Sequence, residues 1–197
     1  RGVEEVGQLQ SGDNLFMWEP FYHVGGAQVM VLPILRDVSL TIADRFSASR
    51  FWQQVSDAGC THIHHLGGIL QILLKQPPGP LDRAHRVRIA WGGGCPASAW
   101  RDFEDRFGVT ITECYGQTEA SSISCANSEG VVGAIGRPLP WFRIEVKDAD
   151  GRRLGAGEGR GEMVITSTIE GAIFSGYHNA PEATAKALQA DGFHTGD

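Results

Sequence analysis

The sequence predicts an α/β fold: a mostly parallel sheet flanked by helices, followed by a small antiparallel β subdomain. Three observations carry this reading. Between residues 13 and 126, short β-branched and apolar runs alternate with helix-length segments, the pattern of strand–crossover–strand units. After about Asn127 the pattern shifts to short alternating strands separated by glycine- and proline-rich turns, so residues 13–126 and 127–197 are expected as two subdomains. Finally, 197 residues with 42% hydrophobic and 20% charged side chains can bury a sizeable core.

The elements follow in order. Residues 1–12 read as a helix end and a loop. Asn14 to Trp18 is a short strand stopped by Glu19-Pro20, since a proline disfavours helix at the residue before it. Phe21-Tyr22-His23-Val24-Gly25-Gly26 leads into the apolar run Ala27 to Leu35. Gly25 and Gly26 signal a close backbone approach, and His23 is either a core or capping residue or a site residue. Val38 to Ile42 is a strand. Ser47 or Ser49 is expected to cap a helix reaching Ala58, with Phe51, Trp52 and Val55 on one face and Gly59 closing it. Thr61 to Leu66 is a strand, Gly68 to Lys75 a helix, and Gln76-Pro77-Pro78-Gly79-Pro80 a loop. Val87 to Trp91 is a strand ending in Gly92-Gly93-Gly94-Cys95-Pro96. A helix from Ala97 to Phe107 turns Trp100, Phe103 and Phe107 inward, and Val109 to Tyr115 is the next strand. Beyond Asn127, Phe142 to Lys147 alternates as a half-buried strand, Asp150-Gly151 marks a hairpin, and Glu162 to Thr166 is a strand. Pro181 to Leu188 is a short helix.

Composition excludes several functions. Seventeen Lys+Arg against 23 Asp+Glu give a net charge of -6, and the densest basic cluster, Arg83 to Arg88, is small, so nucleic acid is not expected as a partner. The longest apolar run, Val29 to Leu35, contains Pro33 and falls far short of the roughly 20 residues of a membrane span. Cys60, Cys95, Cys114 and Cys125 have neither C-x-x-C spacing nor a disulfide pattern, which suits a reducing cytoplasm. A start at Arg1 and an end on Thr195-Gly196-Asp197 suggest a fragment.

Three stretches could carry chemistry. Cys60, His62, His64 and His65 invite a metal, with His62 and His64 on one face of a strand, but no carboxylate sits at ligand spacing. Gly92 to Pro96 could be a phosphate turn, although it lacks the P-loop lysine and the G-x-G-x-x-G of a dinucleotide fold. Cys114-Tyr115-Gly116-Gln117-Thr118-Glu119-Ala120 is richer. Tyr115 offers a stacking face, Gly116 a close backbone approach, Thr118 a hydroxyl for phosphate and Glu119 a hard oxygen for Mg²⁺.

Six ordered motifs extend the reading. They are E-P-F-Y-H-V-G-G at 19–26, G-G-G-C-P at 92–96, Y-G-Q-T-E at 115–119, G-R-P-L-P at 136–140, G-Y-H-N-A-P-E-A-T at 176–184 and H-T-G-D at 194–197. With them the chain resembles the adenylate-forming (AMP-binding) superfamily, in particular the acyl-CoA synthetases. Phe51-Trp52, Gln76-Pro77-Pro78 and Ala183 to Lys186 are similar to the carnitine/crotonobetaine-CoA ligase branch. The resemblance implies that a carboxylic acid reacts with ATP and Mg²⁺ to give an acyl-adenylate, from which coenzyme A takes the acyl group. It also implies roles. Gly94, Cys95, Pro96 and Tyr115 would flank adenine, Gly116 and Gln117 would lie along the nucleotide, and Thr118 would contact the α-phosphate. Glu119 would hold the metal and Asp197 the ribose. His23 would stand between acyl and adenylate sites, and Val24, Gly25, Gly26, Leu66, Gly67 and Gly68 would line the acyl pocket. Cys95 replaces the family's usual alanine, Gly67 a frequent proline, and Phe193-His194 is one residue short before T-G-D. The family's phosphate loop is expected before residue 1 and its C-terminal lysine domain after residue 197, leaving this stretch inactive by itself. A carrier-protein thiol as acceptor, or a non-catalytic nucleotide-binding module, are the alternatives.

Overall fold

A computed structural model describes residues 1–197. It divides into two compact units, Arg1–Tyr115 with Ala126–Arg137, and Gly116–Cys125 with Pro138–Asp197.

The first unit is built on parallel strands: β1 (Asp13–Met17), β2 (Val38–Ile42), β3 (His62–Leu66), β4 (Ile89–Gly93) and β5 (Thr110–Tyr115), with the short β6 (Cys125–Asn127) and β7 (Arg137–Pro138) beyond them. The seven run in the order β2-β1-β3-β4-β5-β6-β7, and β1 to β5 pair in parallel. Its helices are α1 (Gly2–Gly7), α2 (Val24–Ala27), α3 (Leu32–Leu35), α4 (Phe51–Asp57), α5 (Ile69–Leu74) and α6 (Ala97–Phe107).

One row of side chains crosses four strands. Phe16 pairs with Ile63, Ile63 with Ala90 and Ala90 with Ile111. All four are buried in one cluster with Phe51, Trp52 and Val55 of α4, Leu70 and Leu73 of α5, and Trp100, Phe103 and Phe107 of α6. The opposite face is buried too, through His64, Trp91 and Thr112, which are register partners. Burial on both faces is what parallel strands joined by crossovers require.

The expected elements are present, with local corrections. β4 begins at Ile89 rather than Val87 and runs two residues into the glycine run, because Gly92 still pairs with His65 on one side and Glu113 on the other. Neither Ser47 nor Ser49 caps α4: its cap position is Arg50, without a side-chain bond. Gly59 does close it, with φ 63°. The apolar run from Ala27 to Leu35 holds the last residue of α2 and the whole of α3, two separate single turns.

The second unit is a five-stranded antiparallel sheet in the order β11-β12-β10-β8-β9. Here β8 is Phe142–Lys147, β9 Arg153–Leu154, β10 Glu162–Ser167, β11 Leu188–Gln189 and β12 Gly192–His194, and helix α7 spans Pro181–Ala187. β8 and β10 pair along their whole length, from Phe142 opposite Ser167 to Lys147 opposite Glu162. The β8–β9 hairpin forms where Asp150-Gly151 predicts it. The Asp148 carboxylate accepts from the N–H groups of Asp150 (3.1 Å) and Arg152 (2.9 Å), and Gly151 takes φ 77°. Leu139, Phe142, Val164, Ile165 and Phe193 are buried.

Phe103 is fully buried in the first unit's core, against Trp52 and Phe107. Phe103→Ala is expected to cost about 3–5 kcal/mol of stability through lost transfer energy and the cavity left behind. Urea unfolding followed by tryptophan fluorescence measures it.

Candidate functional site

In the first unit, the turn after β4 is shaped by its glycines. A side chain at Gly92 would collide with the His65 carbonyl, and Gly94 has φ 77°. The amide groups of Gly94 and Cys95 both point at one carboxylate, that of Glu113 on β5. Gly94 N donates to Oε1, and Cys95 N lies 3.2 Å and 3.1 Å from Oε1 and Oε2. The donors a phosphate turn would need are thus engaged by the protein's own anion. The stretch Gly94, Cys95, Pro96 is therefore a braced wall leading into α6, not an open anion cradle. Burial pushes the Cys95 thiol up to about 12, with the Glu113 charge adding to it, so a thiolate nucleophile is not available there. Gly67 N donates to Gly93 O at 2.9 Å, and Gly67 lies against Gly94. This brings Leu66, Gly67 and Gly68 beside the G-G-G-C-P turn.

His23 caps α2. Its Nδ1 accepts from Gly25 N at 3.1 Å, which places the ring proton of the neutral form on Nε2. Behind it lies Glu19, 6% exposed, with Oε1 3.6 Å from His23 Nδ1. Glu19 Oε2 lies 3.1 Å from Nδ1 of buried His64, within ion-pair range but not aligned as a hydrogen bond. The close approach signalled by Gly25 and Gly26 is to this residue and the next. A side chain at Gly25 would strike the Glu19 carboxylate, and one at Gly26 the Pro20 carbonyl.

The other histidines are engaged in the core. His62 and His64 share a face, yet His62 is tied to Gly7 O and Thr61 Oγ1, both at 2.8 Å, and His64 packs on Trp91 with ring centroids 4.3 Å apart. His65 is fully buried, and burial drives its pKa down to about 3, so it stays neutral. No three His, Cys, Asp or Glu side chains cluster as a metal site.

Tyr115, half-buried, ends β5, and the second unit opens at Gly116. A side chain at Gly116 would collide with the Ser122 carbonyl, so the missing side chain serves the loop's own closure. Ser122 N reaches Gln117 O at 2.9 Å, and Ser121 and Ser122 hold left-handed φ values of 53° and 76°, uncommon for residues with a side chain. Thr118 is exposed on the single 3₁₀ turn Thr118–Ala120. Gln117 Nε2 donates to Asp197 Oδ2 at 2.6 Å and to Thr195 O at 3.2 Å. Two residues 80 positions apart in the sequence, both expected at the nucleotide, are thereby joined.

The sequence pattern of the AMP-binding enzyme family matches residues 2–178. The chain belongs to the AMP-binding enzyme family. Among curated relatives, isopenicillin N epimerase component 1 from Hapsidospora chrysogena is 31% identical over 95% of this chain and 34% of its own length. A medium/long-chain-fatty-acid–CoA ligase from Mycobacterium tuberculosis is 32% identical over 96% and 33%. The chain spans about a third of the length of these relatives. The crystal structure of a candidate long-chain-fatty-acid CoA ligase from Rhodopseudomonas palustris superposes with a TM-score of 0.85 at 26% identity, covering all of this chain and 49% of that one. The α/β unit and five-stranded antiparallel sheet of this AMP-binding chain thus match an acyl-CoA ligase-like N-terminal domain. No helix is long and apolar enough to cross a membrane.

The donor chemistry of this AMP-binding chain fits a magnesium nucleotide. One partly exposed carboxylate, Glu119, beside the exposed hydroxyl of Thr118 suits a cation held mainly by phosphate and water oxygens. Sequence reasoning missed Glu113, Glu19 and His64 as supports. For Glu113 the available signal was a carboxylate inside an otherwise strand-like run, which must find donors once buried.

Burial, outweighing the two backbone donors, raises the Glu113 pKa above its ordinary value of 4.5. The sign follows: the group's contribution to stability is complete below about 4.5 and is lost as pH rises through the higher folded value. The stability of wild type relative to Glu113→Gln is expected to fall across that window, measured by denaturant unfolding at a series of pH values.

Proposed function

We propose that this chain is part of an ATP-dependent acid–CoA ligase that forms an acyl-adenylate and then an acyl-CoA thioester. In the first step a carboxylate oxygen of the acid attacks the α-phosphorus of ATP and pyrophosphate leaves. In the second, the thiol of coenzyme A attacks the acyl carbon and AMP leaves. The observation that carries the reading is the joining of Gln117 to Asp197 at 2.6 Å, beside the Thr118–Glu119 turn.

In this reading Gly94, Cys95, Pro96 and Tyr115 contact adenine, Gly116 and Gln117 run along the nucleotide, and Asp197 holds the ribose. Thr118 donates its hydroxyl to the α-phosphate, where charge develops during attack. Glu119 holds Mg²⁺, which supplies charge neutralisation at the phosphates when bound. His23, with its ring proton on Nε2, offers a donor toward the acyl-adenylate junction. Val24, Gly25, Gly26, Leu66, Gly67 and Gly68 form the acyl side. Gly25 and Gly26 contribute backbone only, since a side chain at either would strike Glu19 or Pro20.

Residues 13–126 and 127–197 act as two subdomains of the adenylating domain. A phosphate loop and a C-terminal lysine domain elsewhere in the protein would complete it, in keeping with a chain that spans about a third of the length of its relatives. Cysteines spaced in neither a C-x-x-C nor a disulfide pattern suit a cytoplasmic setting. The narrower likeness to carnitine/crotonobetaine-CoA ligases rests partly on Phe51 and Trp52, which are core packing, so the substrate is proposed only as a carboxylic acid. Coenzyme A is favoured over a carrier-protein thiol by the fatty-acid–CoA ligase among the relatives.

Pyrophosphate release by the full-length protein across a panel of acids, with and without coenzyme A, tests the reaction; no acyl-CoA from any acid rejects it. Glu119→Ala is expected to lower Mg²⁺-dependent adenylation at least about a hundredfold with folding intact, as for loss of a group acting on transition-state charge. Adenylation at the wild-type rate removes Glu119 from the metal role. Tyr115→Ala is expected to weaken ATP binding about tenfold or more, the worth of one base–aromatic stack. Calorimetry showing unaltered ATP affinity rejects the stacking.

A further inference from the structure

The motif G-Y-H-N-A-P-E-A-T at 176–184 has no role in the scheme above, although it matches the family as far as His178. Its geometry leads back to Glu119. The Tyr177 hydroxyl donates to Glu119 Oε1 at 2.8 Å, and Phe174 N donates to the Glu119 carbonyl at 2.8 Å. One short segment of the second unit therefore holds both the backbone and the carboxylate of the residue assigned to the cation. Ser121 Oγ adds a third tie to the same segment, at 2.6 Å from Ala172 O.

We propose that Tyr177 is a positioning residue for Glu119, fixing Oε1 so that Oε2 is presented to the cation of the magnesium nucleotide. The proposal rests on the reading of Glu119 as the metal-holding carboxylate.

The rest of the motif orients Tyr177. Tyr177 N donates to Thr184 Oγ1 at 2.9 Å, and that hydroxyl donates in turn to Ala180 O at 2.9 Å. Gly176, at φ 137°, must lack a side chain because one would press on Thr184. Pro181 starts α7, where its missing N–H and fixed φ are tolerated, and so sets where Thr184 falls. The phenol ring packs on Phe174 with centroids 4.8 Å apart, and Phe174 meets buried Phe193 edge-on at 5.6 Å. A ring aligned by these contacts needs no hydroxyl for packing, and it is 39% exposed. The hydroxyl's partner is a carboxylate, and a bond to a charged acceptor is stronger than one between neutral groups. A glutamate held this way has already given up the side-chain freedom that binding a cation would otherwise cost.

The test is calorimetry of ATP binding to the full-length protein over a range of Mg²⁺ concentrations. Tyr177→Phe keeps the ring and removes the hydroxyl. It is expected to raise the Mg²⁺ concentration for half-maximal tightening of ATP binding about three- to tenfold, while affinity for metal-free ATP stays at wild type. Thr184→Val, which leaves the phenol in place but loosens its backbone, is expected to shift it in the same direction by less. Glu119→Gln separates the two claims. If Glu119→Gln leaves the Mg²⁺ dependence unchanged, the reading of Glu119 itself fails. If Glu119→Gln abolishes the dependence while Tyr177→Phe matches wild type, only the positioning role is overturned. A Tyr177→Phe protein that loses Mg²⁺-dependent and metal-free affinity equally also overturns it, since that marks Tyr177 as a general support.

Discussion

The carboxyl end of the larger sheet depends on one buried carboxylate. Glu113 enters the core of the first unit on β5, where an unpaired charge would be heavily penalised. It is tolerated because Gly94 and Cys95 aim their amides at it across the β4–β5 pairing. The constraint acts both ways. The glycine turn cannot unwind without orphaning the carboxylate, and the carboxylate fixes where α6 begins after Pro96. Gly67, bonded to Gly93, inherits the same position. A turn that reads like a phosphate cradle is thus a strand end locked by an internal anion, and its amides hold structure instead of ligand.

The second unit solves its local problem differently. The loop Gly116 to Ser122 has little core of its own, so it is folded by close backbone approach and two left-handed serines. Such conformations persist only when neighbours over-determine them. Those neighbours are Phe174 and Ala172 at Glu119 and Ser121, and Thr195 and Asp197 at Gln117. Strain at this loop is therefore balanced by contacts from two later segments of the same unit. That pairing explains why the informative motifs lie so far apart in sequence.

Much of the first unit was legible from its residues because periodicity reports burial. Phe51, Trp52 and Val55, or Trp100, Phe103 and Phe107, recur at helical spacing and do pack the core. Capping was less legible. Ser47 and Ser49 carry the right hydroxyls, but the chain bends before them and the helix starts after Arg50 without a cap. The strand boundary at Trp91 was misplaced for a related reason: glycine marks a turn in composition, while Gly92 and Gly93 still pair with β3, where a side chain at Gly92 would strike the His65 carbonyl. Pairwise supports were the least legible. Nothing local in the sequence shows that Glu113 serves Cys95, that Glu19 stands between His23 and His64, or that Tyr177 reaches Glu119, because each is a contact made by tertiary packing.

These supports share a consequence for binding. Gln117 and Asp197, Tyr177 and Glu119, and His23 and Gly25 are joined before any ligand arrives. Each long polar side chain so held has lost rotamer freedom during folding, at a cost already set against the stability of the unit. In the proposed site, a ligand meeting these groups would gain contacts without that ordering cost, and a rigid donor or acceptor discriminates by position better than a mobile one. The tautomer of His23 shows what such a fixed contact does to a side chain. With Nδ1 occupied by Gly25 N, the ring presents a donor at Nε2 and rejects a second donor there. The cap that begins a four-residue helix thereby decides which chemistry the histidine can offer.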